Sequence, residues 1–168
     1  LHRSPGVDFS VETHTGEKKL HSCWIIPERG SWIELAVSKK EALHIKIDQS
    51  GRFPATAFLR AMAEEYSTNE SLIRLFHNTR VIKIKSPKQA EKDLLGQYIV
   101  GDIVDAATGE ILIAGGSLLT EETLEMLLES DLPSLEIIDG LDDPLILHTI
   151  AEDDTNSHES ALLKIYNR

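Results

Sequence analysis

Between Trp24 and Asp48 the chain repeats one pattern: short runs rich in β-branched and aromatic residues, broken by Pro, Gly and Ser. Trp24-Ile25-Ile26 and Trp32-Ile33-Glu34-Leu35-Ala36-Val37 flank Pro27-Glu28-Arg29-Gly30-Ser31, whose Pro and Gly mark a turn. Leu43-His44-Ile45-Lys46-Ile47-Asp48 alternates apolar with polar residues, the period of a half-buried antiparallel strand, and stops at Gln49-Ser50-Gly51. No strand-helix-strand alternation recurs here, so mostly antiparallel pairing is expected, with helices elsewhere in the chain.

Those helices follow. After Pro54 the spacing turns helical, with Phe58, Leu59, Met62 and Ala63 expected on one face. Ser67-Thr68-Asn69-Glu70 reads as a capping box for a second short helix carrying Leu72, Ile73, Leu75 and Phe76. Arg80 to Lys85 alternates as a strand, and Ser86-Pro87-Lys88 reads as a break. Tyr98–Asp105 and Ile111–Ala114 then flank a hairpin loop, Ala106-Ala107-Thr108-Gly109-Glu110, in which Gly109 supplies a positive φ. Thr120 is expected to cap a helix running through Leu128, with Glu121 and Glu122 at its positive end and Leu124, Leu127 and Leu128 as its apolar stripe. Ser134 to Asp139 returns as a strand, Gly140–Pro144 breaks it, and Ser157–Tyr166 closes the chain as a helix with Ala161, Leu162 and Ile165 inward. The expected class is α+β: mostly antiparallel strands with short helices, interrupted by a small β-rich insertion module.

Charge divides the chain at the same break. Residues 1–85 carry 13 Lys and Arg against 10 Asp and Glu, about +3, and residues 86–168 carry 4 against 18, about −14, which together give the formal −11. A boundary is therefore expected near 86, with residues 1–85 plus 146–168 forming one domain and 86–145 an acidic module. No apolar run approaches the ~18 residues that a membrane-spanning helix needs. The opening Leu1-His2-Arg3-Ser4-Pro5-Gly6 has neither an initiator Met nor a signal-like apolar stretch, and reads as a piece of a longer chain. One cysteine, Cys23, excludes an internal disulfide and suits a reducing compartment.

Chemical motifs are few. His14, His21 and Cys23 lack the paired spacing of a zinc site. Gly115-Gly116-Ser117 precedes a helix but stands beside Glu121 and Glu122, so it reads as a flexible turn rather than a phosphate cradle. Asp142-Asp143 and Glu152-Asp153-Asp154 do not follow a calcium loop and read as solvated acidic loops. Arg3, Arg29, Trp32 and Arg52 admit two readings: guanidinium groups on phosphates or guanine edges with an indole stacked on an unpaired base, or a core tryptophan among surface arginines.

Several segments nevertheless resemble, in order and spacing, the β subunit of bacterial RNA polymerase. They are Leu1–Val7, Ile25-Ile26-Pro27-Glu28-Arg29-Gly30-Ser31-Trp32, Ile47-Asp48, Pro54-Ala55-Thr56 with Leu59-Arg60-Ala61, and Asp153–Asn156 before Ala161-Leu162. The resemblance implies that residues 1–85 and 146–168 are the β2 lobe lining the main DNA cleft, and that 86–145 is an external insertion, with Lys88–Asp143 similar to the strand-hairpin-helix-strand module found there in other bacteria. It implies a non-catalytic part of a nucleotidyltransferase that positions downstream DNA and the melted non-template strand. Arg3 would line a pocket for an extruded guanine, Trp32 would stack on a neighbouring base, Asp48 would lie close by, and Arg52 would remain as a phosphate contact. No cofactor is expected in this chain, because the catalytic Mg²⁺ of the parent enzyme is bound elsewhere. Implied partners are the β′, α and ω subunits, a σ factor, promoter and downstream DNA, and regulators on the insertion; no membrane is implied, and the setting is cytoplasmic and nucleoid-associated. Two departures from the family pattern weaken DNA contacts: Gln49-Ser50-Gly51 replaces a basic run, and Glu28 an aromatic. The alternative is a free-standing protein-interaction module that uses the acidic insertion.

Overall fold

The computed structural model describes residues 4–13 and 19–167. Along the chain, β1 (Gly6–Thr13), β2 (Lys19–Ile26), β3 (Ile33–Val37), β4 (Leu43–Ile47) and β5 (Phe53–Pro54) lead into α1 (Ala55–Met62) and a 3-10 turn at Glu64–Tyr66. Next come α2 (Asn69–Phe76), β6 (Thr79–Lys83), α3 (Pro87–Leu94), β7 (Ile103–Val104), β8 (Ile111–Ile113), α4 (Glu121–Glu129) and β9 (Ser134–Ile138), then α5 (Leu145–Glu152) and α6 (His158–Tyr166). The result is an α+β fold in which the strands pair antiparallel.

Contacts divide the chain into two compact units, residues 1–67 with 143–168, and residues 68–142. The second unit is larger than the acidic segment 86–145, because it also takes in α2 and β6.

In the first unit, β1 to β5 form one sheet in chain order. Alternation decides its faces: Ile33, Leu35 and Val37 lie opposite Ile47, Ile45 and Leu43, and this face packs with Phe53, Ala55, Ala57, Phe58 and Ile165. Glu34, Ala36, His44 and Lys46 take the other face. β1 escaped the sequence reading although Val7, Phe9 and Val11 alternate; all three are exposed.

The first unit's helices bury only part of the stripes expected of them: Phe58, Ala161 and Ile165 turn inward as expected. Met62 and Leu162 are exposed, and α1 instead buries Ala55, Thr56, Ala57 and Arg60. Arg60 is the centre of a polar knot. Its side chain is 1% exposed and that of its partner Asp153 is 0%, with Arg60 Nε 3.3 Å from Asp153 Oδ2. Thr56 Oγ1 donates to the same oxygen (2.6 Å) and Arg60 Nη1 donates to the Ser67 carbonyl (2.6 Å). Thr155 donates its N–H (2.9 Å) and its hydroxyl (2.6 Å) to Asp153 Oδ1, while His158 Nδ1 lies 2.6 Å from the Arg60 carbonyl oxygen. Burial pulls the Arg60 guanidinium below its ordinary range, and the Asp153 charge opposes that shift and keeps the cation in place. Asp153 is thus no solvated loop residue: the acidic run is split, with Asp153 sealed inside, Glu152 beside His44 Nε2 (3.0 Å), and only Asp154 open to water next to Lys164.

The second unit is closed by apolar residues: Leu94, Ile99, Ile113, Leu119, Leu124, Leu127, Leu135 and Ile137 share one core. Thr120 caps α4 as expected, its side chain accepting from Thr123 N–H while Thr123 reaches back. The hairpin loop also forms as expected, with Gly109 at φ +74° and Asp105 Oδ1 accepting from Ala107 N–H (2.7 Å). Two local expectations are corrected and one is extended. Ser86-Pro87-Lys88 follows the end of the strand as expected, and it also starts α3, Ser86 capping and Pro87 occupying the first turn, where its missing N–H costs nothing. Thr68, not Ser67, caps α2, accepting from Ser71 N–H at 3.1 Å. Gly115 lies in a turn, as expected, but a buried and pinned one: its N–H donates to Asp102 Oδ1 (2.6 Å), and a Cβ there would sit 2.5 Å from the Val100 carbonyl oxygen, so no larger residue fits without displacing backbone.

Candidate nucleic-acid interface

One end of the five-stranded sheet gathers the features picked out in the sequence. Gly6 starts β1 opposite Ile26, which ends β2; Ile25 lies opposite Ile33 at the start of β3, and Ile33 opposite Ile47 at the end of β4. The loops 27–32 and 48–52 therefore leave the same edge. Arg3 lies outside the described residues.

Trp32 and Asp48 are locked together across that edge. Trp32 N–H donates to Asp48 Oδ1 (2.8 Å), and Asp48 N–H donates to the Trp32 carbonyl (2.9 Å). Asp48 has φ +49°, a left-handed conformation that Asp and Asn tolerate better than other side chains that carry a Cβ. The Ser31 hydroxyl, and then the Trp32 N–H, hold the Asp48 carboxyl below the ordinary carboxylate range, so it stays an anion that accepts hydrogen bonds. The role the geometry gives Asp48 is to fix the backbone of Trp32. Ser50 tightens the same turn, its N–H donating to the Ile47 carbonyl (3.0 Å) and its hydroxyl accepting from Ile47 N–H (3.2 Å).

The Trp32 side chain is half-buried, neither sealed in the core nor free in water. It meets Trp24 edge to face, ring centres 6.1 Å apart at 77°. Trp24 was read in the sequence only as a strand residue, yet its register opposite Glu34 places it on the polar face of the sheet. Glu34 also lies opposite Lys46, and Arg52 Nη2 is 3.8 Å from Glu34 Oε1. Arg52 is more than half exposed, so water screens this pair and leaves the guanidinium free to exchange partners. From Arg52 a groove of about 620 Å³ runs toward the opposite end of the sheet, where Lys39 and Lys40 stand in the β3–β4 turn and Glu152 is the carboxylate among its lining residues.

The sheet end thus offers an ordered indole, a supporting carboxylate and one exchangeable cation, Arg52. Such a set can stack and orient an unpaired base. Among the described residues no group of three His, Cys, Asp or Glu side chains could hold a metal ion, and no helix is long and apolar enough to cross a membrane.

No family model matches the chain. Individual relatives do, over its whole length. It is 47% identical over 173 residues to the DNA-directed RNA polymerase subunit beta of Rhodopirellula baltica, a match covering 100% of this chain and 14% of that protein. It is 36% identical to the same subunit of Protochlamydia amoebophila, over 100% of this chain and 14% of the relative, and 34% identical to that of Chlorobaculum tepidum, over 99% and 13%. The chain therefore spans about one seventh of the length of the relatives it matches.

Proposed function

Because this chain belongs to the family of the bacterial DNA-directed RNA polymerase β subunit, we propose that it acts there as the lobe beside the main cleft, holding DNA in place while the chemistry proceeds elsewhere. The observation that carries this reading is the Trp32–Asp48 clasp, which holds a half-exposed indole at a sheet edge shared by two loops. A π-face tolerates any base, and stacking of this kind is worth roughly 1–3 kcal/mol per base. In this reading Trp32 stacks on a base of the melted non-template strand, Arg3 lines the pocket of an adjacent extruded guanine, Asp48 holds the Trp32 backbone, and Arg52 exchanges Glu34 for a phosphate. The partners are the β′, α and ω subunits, a σ factor, and promoter and downstream DNA in the cytoplasm. The catalytic Mg²⁺ belongs to another part of the enzyme.

The test is made in the assembled polymerase carrying Trp32→Ala. Open-complex lifetime and pausing are expected to change on templates with and without guanine in the non-template strand, whereas Arg3→Ala is expected to change them chiefly where guanine is present. Equal behaviour of variant and parent on both templates overturns the assignment. The 168-residue chain alone is expected to bind DNA weakly, because its formal −11 opposes a polyanion and few phosphates can be neutralised.

A further inference from the structure

The second unit carries six Lys and Arg residues against fourteen Asp and Glu, yet its cations are gathered in one place. Four of the six, Arg80, Lys83, Lys85 and Lys92, line a single groove of about 550 Å³ in which Asp93 is the only carboxylate. One wall of this groove is β6, which pairs with β9 on one side and, among the described residues, with no strand on the other. Ile84 N–H donates to the Pro133 carbonyl (2.9 Å) and Asp139 N–H to the Asn78 carbonyl (2.8 Å), so even-numbered residues turn their backbone groups toward β9. Alternation then turns those of Thr79, Val81 and Lys83 outward.

At one end of this outer edge the ladder is already continued by a side chain. Gln89 Nε2 donates to the Lys83 carbonyl (3.1 Å), and Gln89 Oε1 accepts from Lys85 N–H (2.9 Å), the pair of bonds a neighbouring strand would make. The substitute stops there. Next to it the Val81 side chain is 64% exposed.

We propose that this edge takes up an acidic, extended segment of another protein as an added strand. The segment's main chain pairs with Val81 and Thr79, and its carboxylates face Lys83, Lys85 and Lys92, since Arg80 is already paired with Asp139 (3.4 Å). Charge selects this occupant. A second copy of the same edge would bring like charges together, which is how natural edges avoid self-pairing. A nucleic acid could meet the cations but lacks the repeating main-chain ladder that would pair the outward N–H and C=O of successive residues, and the unit's excess of carboxylates repels a long polyanion.

The experiment titrates the whole chain with a short, end-capped alternating Val-Glu peptide, its Val-Lys counterpart, and single-stranded DNA of similar length, following backbone amides by NMR. The Val-Glu peptide is expected to shift the Thr79 and Val81 amides and to protect them from exchange. Reversing charge in Lys83→Glu/Lys92→Glu should weaken it by about tenfold or more, with most of the loss in association and a reduced salt dependence. Val81→Pro removes an N–H that β9 does not use, a change edge strands tolerate, and should weaken binding by a similar factor. Gln89→Ala frees the Lys83 carbonyl and the Lys85 N–H, and should tighten binding without disturbing the ladder to β9. Equal affinity for the Val-Glu and Val-Lys peptides overturns the proposal. So does DNA binding with the Val81 amide unperturbed, or failure of Gln89→Ala to tighten the complex.

Discussion

The two units close in different ways. In the first, the chain leaves at Ser67 and returns at Asp143, and the stitch between the two passages is polar: Arg60 and Thr56 on α1 meet Asp153, with Thr155 and His158 completing the knot. In the second, the chain is continuous and the core is apolar, while the charged pairs, such as Arg74 with Glu136 and Glu70, stay partly in water. Apolar burial is non-directional and stabilises any compact arrangement of suitable shape. A buried ion pair adds little net stability over an apolar replacement, but it tolerates only one set of partners once it is formed. A unit assembled from two distant stretches gains from a contact that penalises wrong pairing; a continuous segment closes without one.

The difference can be broken experimentally. The largest effect is expected for Asp153→Ala, which leaves a guanidinium buried without its counter-charge and should cost about 3–5 kcal/mol. Both tryptophans lie in the first unit, so tryptophan fluorescence in denaturant follows that unit alone. Its midpoint should fall while far-ultraviolet circular dichroism retains the second unit's transition. Leu127→Ala, at a position fully buried in the second unit's core, should produce the opposite pattern and cost about 2–5 kcal/mol. Coincident shifts of both signals in either variant would show that the units do not close separately.

A smaller effect concerns acid. The Arg74 guanidinium, and after it the Thr79 hydroxyl, hold the Glu136 carboxyl below its ordinary range. Above that range the interaction is fully present. As pH falls through the ordinary carboxylate value toward the depressed one, the unfolded chain takes up its proton first, and stability is lost. Arg74 is half exposed, so the slope is shallow. In Glu136→Gln it should be reduced, measured as the pH dependence of the second unit's transition between the ordinary carboxylate range and strong acid.

What the sequence made legible was local. β2 to β4 announced themselves through alternation and turn residues, and the Thr120 cap and the Gly109 loop through short-range hydrogen bonding. Ser86-Pro87 was legible as the end of a strand but not as the start of a helix, because proline serves both and only the bond that Ser86 accepts from Gln89 N–H shows the second role. α5 went unread between the Gly140–Pro144 break and the closing helix, since Pro144 caps it with no side-chain hydrogen bond and no polar cap residue marks its start. The fate of Asp153 could not be read locally, since its partner lies 93 residues away and a carboxylate is solvated or sealed according to what folds over it. At the candidate interface, Trp32, Asp48 and Arg52 were named in advance, but the Trp24 ring and the role of Asp48 as a backbone clamp needed the strand register. The exposed edge of β6 could be seen only once its single neighbour was known.

The bond from Asp139 N–H to the Asn78 carbonyl, continued by Thr79 opposite Ile138, gives a final consequence. It brings the entrance and exit of residues 79–138 side by side, like the two prongs of a plug. Residues can be added or deleted between those prongs without lengthening the path that the flanking polypeptide must follow. Such a segment is a place where a gene can experiment with length at little cost to its surroundings.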